Sequence, residues 1–231
     1  MSDYIEILVL VEGRTEKIFV REVLAPTMRS KNIYIDATLV GKIGGDVRFD
    51  RAKKDIGMYL KQRCDTYITT MFDYFRIDPD WPGKSDVIQA IGTGEKITAH
   101  EKGVRLENAT LEAIKASFPD CQPEKRFIPY IQMHEFEALL FTDTGVLADK
   151  IRTNEKAVTE ITDKFDTPED INDNPNTAPS KRIKNLRKGY LKVITGTAIT
   201  KDIGIPAIRK ECVHFGGWLT KIEQLSAKPI N

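Results

Sequence analysis

The chain opens with a strongly apolar run that ends in a carboxylate and a glycine. Residues 5–11 read IEILVLV, and Glu12 and Gly13 follow directly. A nearly continuous run rich in isoleucine and valine is typical of a strand buried on both faces, as in a parallel sheet covered by helices. The sequence therefore predicts an α/β fold in which helices flank a parallel sheet.

Strand and helix patterns alternate through the first 141 residues. We expect Pro26 to end the first helix, because proline interrupts the hydrogen bonding of a helix interior. The predicted strands cover residues 4–11, 33–40, 66–72 and 127–132, and the predicted helices cover residues 15–24, 47–62 and 101–117, with a further helix from residue 134. This alternation predicts an α/β core over residues 1–141. Residues 142–231 show helical patterns without a convincing strand, and we predict a helical extension packed on that core.

Composition excludes several classes of protein. The 231 residues are 41% hydrophobic and 30% charged, which is typical of a globular protein. No apolar stretch reaches the roughly 18 residues that would cross a membrane, so we expect neither a span nor a membrane partner. Cys64, Cys121 and Cys212 are widely spaced and form no CxxC pair, which argues against a disulfide framework or a structural zinc site and favours the cytoplasm.

Acidic residues follow three of the predicted strands. Glu12 ends the first strand, Asp73 ends the third, and Glu135 and Glu137 follow the fourth in the segment HEFE. Sites in open parallel sheets form beyond the carboxyl ends of the strands, where these acids would repel one another unless a cation lay between them. Oxygen ligands suit Mg²⁺ or Mn²⁺, which activate water and stabilise the leaving oxygen in phosphodiester cleavage.

Each acid also has an ordinary interpretation as a turn former, a cap or a residue favoured at a helix start. The segment HEFE leaves two geometries open. A helix would place His134 and Glu137 on one face, whereas an extended chain would place Glu135 and Glu137 together. We predict that Gly13 lets the backbone turn tightly, and that Glu16 supports the site from one helical turn further on.

Basic residues are concentrated in residues 179–192, although the formal net charge is only +1. Lys181 and Arg182 are our candidates for stabilising charge on a phosphate, and the segment as a whole could follow a nucleic-acid backbone. A solvated helix face is the alternative interpretation.

Several motifs resemble known families. The segment VLVEGRTEKIF resembles the first motif of Toprim domains, which occur in topoisomerases, primases and the overcoming-lysogenization-defect (OLD) nucleases. The segments TTMFDYFRIDPDWPG, IPYIQMHEFEALLF, APSKRI and CVHFGGWL together look like a bacterial family known as domain of unknown function 4276.

The resemblance implies roles for particular residues. It implies that Glu12 is a metal ligand or general acid/base and that Asp73 binds the metal. Phe75 stands where the Toprim pattern has a second aspartate, and Glu135 and Glu137 are the candidates to replace that ligand. OLD-like proteins commonly act beside an ABC-type ATPase in defence against phage. This chain has no GxxxxGK[ST] loop, so the ATPase would be a separate protein.

The combined expectation is a metal-dependent nuclease acting on DNA or RNA. Its metal ligands would be Glu12, Asp73, Glu135 and Glu137, its cofactor Mg²⁺ or Mn²⁺, and its protein partner a separate ABC-type ATPase. Homo-oligomerisation is compatible with these features. The alternative is a catalytically inactive partner or sensor subunit whose core lost activity together with the second aspartate.

Overall fold

A parallel sheet forms the centre of the molecule. The computed structural model describes residues 4–41, 44–45, 47–171 and 176–225. The strands are β1 (Ile5–Val11), β2 (Ile33–Leu39), β3 (Tyr67–Asp73), β4 (Phe127–Ile128) and β5 (Ile131–Gln132). Their order is β2-β1-β3-β4, with β5 also paired to β3, and every pairing is parallel. The predicted α/β class with a parallel sheet is confirmed.

Helices cover the sheet and make up the described C-terminal part of the chain. They are α1 (Arg14–Phe19), α2 (Ala25–Arg29), α3 (Phe49–Gln62), α4 (Lys84–Gly92), α5 (Ala99–Ser117), α6 (Pro123–Arg126), α7 (Thr144–Ile151), α8 (Glu155–Thr162), α9 (Pro179–Leu186), α10 (Lys192–Ile203), α11 (Ile205–Glu211) and α12 (Val213–Glu223). Short 3₁₀ segments occupy Pro119–Cys121, Phe136–Thr142 and Pro168–Asp170. None of the described helices is long and apolar enough to cross a membrane.

Three details differ from the sequence-based prediction. Pro26 does not end the first helix, because a π-helical turn at Val20–Leu24 joins α1 to α2 and Pro26 falls in the first turn of α2. The predicted fourth strand is split into β4 and β5. Helix α4 was not predicted, since its segment follows a region rich in proline and glycine.

Apolar residues fill both faces of the sheet. Val9 and Val11 of β1 belong to a cluster that includes Phe19 and, from the C-terminal helices, Trp218. Leu10 faces the opposite side, in the cluster formed with α3 and α5. The C-terminal helices thus contribute to the same core as β1. The carboxyl ends of β1 and β3 lie side by side, because Val11 pairs with Met71.

Candidate functional site

Four buried acids meet at the carboxyl end of the sheet, and we call Glu12, Glu16, Asp73 and Glu137 the acidic cluster. Glu12 follows β1, Glu16 lies in α1, Asp73 ends β3 and Glu137 lies in the 3₁₀ segment. Their exposed fractions are 8%, 1%, 1% and 0%. Burial of four carboxyl groups in one place is unfavourable unless protons or cations neutralise them.

Lys192, the first residue of α10, supplies a cation to the acidic cluster. Its Nζ lies 3.1 Å from Glu137 Oε2, 3.4 Å from Glu16 Oε1 and 3.7 Å from Asp73 Oδ2. The lysine side chain is 35% exposed, whereas its three partners are almost fully buried. One ammonium therefore joins three carboxylates at the edge of the solvent.

The carboxyl group of Glu12 is only partly stabilised in its charged form. Burial, followed by the charge of Glu16, raises the pKa of Glu12 to about 7. Lys192, Arg76 and a hydrogen bond from the Asp73 backbone N–H act in the opposite direction. A carboxyl group with this pKa can exchange a proton near neutral pH, which suits either a general acid/base or a ligand that loses its proton when a metal binds.

Asp73 and Glu137 are perturbed in the same direction. Burial and then the charge of Glu12 raise the pKa of Asp73, and burial raises the pKa of Glu137. Asp73 Oδ1 also accepts a hydrogen bond of 2.9 Å from the Phe136 N–H, which fixes the start of the 3₁₀ segment. Glu137 is thereby held on the same side of the sheet as Asp73.

Unsatisfied oxygens test whether a metal ion fits these residues. Glu12 Oε2 and Glu137 Oε1 are buried and have no hydrogen-bond partner within the described ranges. Buried polar atoms are normally paired, and oxygen-only donors are the type that Mg²⁺ or Mn²⁺ prefers, so the acidic cluster has the donor chemistry for a divalent cation. No three acidic, histidine or cysteine side chains of the described chain already stand at metal-binding distance from one point. Metal binding therefore requires the carboxylates to move relative to Lys192.

Glycines support the backbone around Glu12. Gly13 has φ −145° and ψ 179°, an extended conformation open to any residue, so the expected tight turn is not what requires a glycine. A Cβ at Gly13 would instead lie 2.9 Å from Glu16 Oε2. Gly44 has φ +72°, and a Cβ there would lie 2.2 Å from the Glu12 carbonyl oxygen, which accepts a hydrogen bond from Gly45 N–H. The glycines leave room for Glu12 and Glu16.

Glu135 lies apart from the ammonium of Lys192. The backbone of His134 is left-handed, with φ 60°, and Glu135 is extended before the 3₁₀ segment begins. Glu135 accepts hydrogen bonds from the Ser180 N–H at 2.8 Å and the Ser180 hydroxyl at 3.1 Å. Glu135 and Glu137 therefore have different partners, and Glu135 serves to hold the start of α9.

The cation that contacts the acidic cluster comes from the far end of the basic segment. Arg182 donates from Nε to the Thr177 carbonyl at 2.7 Å and lies over the Phe165 ring, 5.2 Å from its centroid. Lys181 is exposed. Sequence analysis singled out Lys181 and Arg182 and did not identify Lys192, because the proximity of residue 192 to β1 and β3 depends on how α10 packs.

One protein-family model matches most of the chain, including the acidic cluster. A family model described as "Domain of unknown function (DUF4276)" matches residues 11–223. The chain belongs to this family. The match includes the acidic cluster and Lys192, so every residue of the site in this DUF4276 protein lies within the family region. Searches of curated proteins and of solved structures gave no significant match.

Proposed function

We propose that this protein is a metal-dependent nuclease that hydrolyses phosphodiester bonds of DNA or RNA. The observation that carries the proposal is the group of four buried acids with unsatisfied oxygens at the carboxyl ends of β1 and β3. Such a group is unfavourable without a cation, and its oxygen donors match the ions used in phosphodiester cleavage. The Toprim-like and OLD-like interpretation of the fold belongs to this proposal.

In this proposal Glu12, Glu16, Asp73 and Glu137 hold one or two Mg²⁺ or Mn²⁺ ions. Glu16 and Glu137 then compensate for the second aspartate, which Phe75 replaces. Bound ions would activate water and stabilise the leaving oxygen. Glu12, whose pKa is about 7 in the metal-free protein, would serve either as one of these ligands or as the group that accepts a proton from the attacking water.

Lys192 supplies positive charge beside the acidic cluster. Its side chain is long and 35% exposed, so its ammonium can turn from the carboxylates to a phosphate when metal ions take over their neutralisation. We assign to Lys192 the phosphate-stabilising role that the sequence suggested for Lys181 or Arg182. Glu135 supports the site by holding α9.

The resemblance to OLD-like proteins also supports a proposal about the physiological setting. We propose a cytoplasmic effector of anti-phage defence that is controlled by a separate ABC-type ATPase. Residues for ATP hydrolysis are expected in that partner, since the chain has no GxxxxGK[ST] loop.

One observation favours a second candidate function. Lys192 already neutralises part of the acidic cluster at distances of 3.1–3.7 Å, as it would in a core that no longer binds metal. In that case the protein is an inactive partner or sensor subunit of the ATPase. The two candidate functions predict different affinities for Mn²⁺, because an inactive core of this kind should bind Mn²⁺ poorly.

The test incubates the purified protein with Mn²⁺ and plasmid, single-stranded DNA or tRNA, with and without the product of the neighbouring gene. Mn²⁺ binding is measured in parallel by calorimetry, for the wild type and for Lys192→Met. The nuclease proposal expects Mn²⁺ binding in both proteins and cleavage only by the wild type. Absence of both binding and cleavage in the wild type would support the inactive subunit.

A further inference from the structure

A small basic cavity lies next to the acidic cluster. It has a volume of about 170 Å³ and lies between the end of α7 and the loop that joins α9 to α10. The described residues that line it include Lys150, Arg152, Arg187 and Tyr190, and none of them is acidic. Three cationic side chains around an opening of this size favour an anion in it.

Among the described residues, the two arginines of the cavity have no acidic partner. Lys150 is paired with Asp202 at 2.5 Å. Arg152 and Arg187 are exposed, and neither forms an ion pair with any residue that the structure describes. Guanidinium groups bind phosphate through paired N–H donors, so these two side chains are suited to a phosphate group.

Tyr190 connects this cavity with the acidic cluster. Its side chain is buried and lines the cavity, and its hydroxyl has no hydrogen-bond partner in the described part of the chain. The negative charge of Glu137 reaches that hydroxyl and, after burial, contributes most to raising the pKa of Tyr190. Lys192 follows two residues later. The cavity therefore lies within electrostatic reach of the acidic cluster.

We infer that Arg152 and Arg187 bind a backbone phosphate of the nucleic acid next to the phosphate that is cleaved. This inference rests on the proposed nuclease function and adds to it a substrate-binding site outside the metal ligands. Contacts of this kind position the backbone without reading its sequence. The cavity should therefore bind DNA and RNA alike. Base pairing should change this binding only by changing the path of the backbone.

A second cavity provides the contrast and a control. It has a volume of about 390 Å³ and is lined by Arg21, Arg29 and Arg63 beside β1 and β2. Arg21 is paired with Asp36 at 2.6 Å and Arg63 with Glu6 at 3.1 Å. Most of its positive charge is thus neutralised internally. Arg29 is exposed and forms no ion pair within the described residues, so Arg29→Gln removes one charge away from the basic cavity.

The experiment measures binding of fluorescent oligonucleotides by anisotropy in EDTA, over a series of salt concentrations. Single-stranded DNA, duplex DNA and RNA of one sequence are compared for the wild type, Arg152→Gln, Arg187→Gln, the double variant and Arg29→Gln. We expect each cavity variant to weaken binding roughly tenfold, as loss of a charged hydrogen bond does. The slope of log K against log salt should fall by about 0.7 per lost contact for single strands and about 0.9 for duplex.

Arg29→Gln should leave affinity and slope within about twofold of the wild type. Arg187→Lys keeps the charge but loses the paired donors, so it should restore the salt slope and only part of the affinity lost in Arg187→Gln. Thermal melting checks that each variant is folded. Equal affinities for the cavity variants and Arg29→Gln would overturn the inference. Wild-type protein that binds no oligonucleotide overturns it as well. Binding that depends on the two arginines, together with no cleavage in Mn²⁺, would support the phosphate site and contradict the nuclease function.

Discussion

Two groups of buried acids in this molecule differ in how their oxygens are satisfied. Next to α12, Glu169 accepts hydrogen bonds from the His214 N–H at 2.7 Å and the Phe215 N–H at 2.9 Å, one on each oxygen. In the acidic cluster, by contrast, Glu12 Oε2 and Glu137 Oε1 have no hydrogen-bond partner among the described residues. The oxygens of the first group are satisfied within the protein, whereas the second group keeps buried oxygens without a partner.

The carboxylate oxygens of Glu107 also have partners within the protein. It accepts a hydrogen bond of 3.2 Å from the Ile131 N–H of β5, lies 2.8 Å from His214 Nε2 and pairs with Lys221 at 3.2 Å. Burial acts to lower the pKa of His214, but the adjacent carboxylate of Glu107 outweighs it, and the pKa is raised. Glu107 thus joins β5 to α5 and α12. We call Glu107, Glu169 and His214 the histidine cluster.

Under the proposed function, this comparison separates acids that stabilise the fold from acids that would bind a metal ion. Buried carboxylates with a full set of donors rigidify a structure, and removal of one leaves donors unpaired. Buried carboxylates that repel one another destabilise the metal-free protein, and their removal relieves it. Substitutions in the two clusters should therefore have opposite effects on stability.

The largest expected effect is on activity in the acidic cluster. Glu12→Gln should reduce cleavage by orders of magnitude, because a carboxamide neither accepts a proton from water nor binds a divalent cation well. Cleavage of the preferred nucleic acid in Mn²⁺ measures this, and circular dichroism checks the fold. Asp36→Asn, which removes an exposed acid far from the cluster, is the matched control. A fully active Glu12→Gln protein would remove Glu12 from the site.

Sequence predicted the strand-end acids but not their cation. Glu12 and Asp73 could be placed because the carboxyl ends of adjacent parallel strands share one edge of a sheet. The position of Lys192 depends on the packing of α10, which periodicity does not report. The i, i+4 spacing of Glu12 and Glu16 was visible, but only the structure shows that Glu16 is buried beside Lys192.

The HEFE segment shows a second limit of sequence analysis. Its alternatives were a helix and an extended chain, and the structure combines an extended Glu135 with a 3₁₀ turn at Glu137. The left-handed backbone of His134 sets this change of direction. A single non-glycine residue with positive φ has no clear sequence signature.

The second expected effect is a loss of stability in the histidine cluster. Glu169→Gln keeps the size of the side chain but replaces one of two acceptors with a donor that faces a backbone N–H. We expect a loss of about 3 kcal/mol, the magnitude for hydrogen bonds to a charged group. For a chain of this size the melting temperature should fall by roughly 6–12 °C. Thermal unfolding in EDTA measures it.

Glu155→Gln, on the exposed start of α8, is the control for the change from carboxylate to carboxamide. It should shift the melting temperature by no more than a degree or two, because surface substitutions change stability by about 0.5 kcal/mol or less. A Glu169→Gln protein as stable as this control would show that Glu169 does not stabilise α12.

The third effect depends on pH. The folded pKa of Glu12, about 7, lies above its ordinary value of 4.5, so the native state binds more protons than the unfolded state between these values. Stability of the metal-free protein should therefore be higher at low pH and fall as pH rises from about 4.5 to 7, by up to about 1.4 kcal/mol per pH unit. Asp73 and Glu137 act in the same direction.

The measurement is the gap in melting temperature between Glu12→Gln and the wild type in EDTA. The gap should be small at pH 5, should favour Glu12→Gln increasingly up to about pH 7, and should level off by pH 8. The raised pKa of His214 also makes stability fall with pH, but it is present in both proteins and cancels in the difference. A gap that does not change with pH would contradict a raised pKa at Glu12.

The smallest effect separates metal affinity from stability at one position. Gly13→Ala is compatible with the extended backbone of Gly13, but its Cβ would lie 2.9 Å from Glu16 Oε2, which must shift. Stability should change by less than about 1 kcal/mol, because loss of chain entropy in the unfolded state offsets the contact. Mn²⁺ affinity, measured by calorimetry, should fall several-fold, since a displaced Glu16 no longer lies beside Glu12 and Asp73. Gly217→Ala is the control: a Cβ there meets nothing within 4 Å, so it should leave Mn²⁺ affinity unchanged and raise the melting temperature slightly. Equal Mn²⁺ affinities for the two variants would mean that the space beside Gly13 does not serve the acidic cluster.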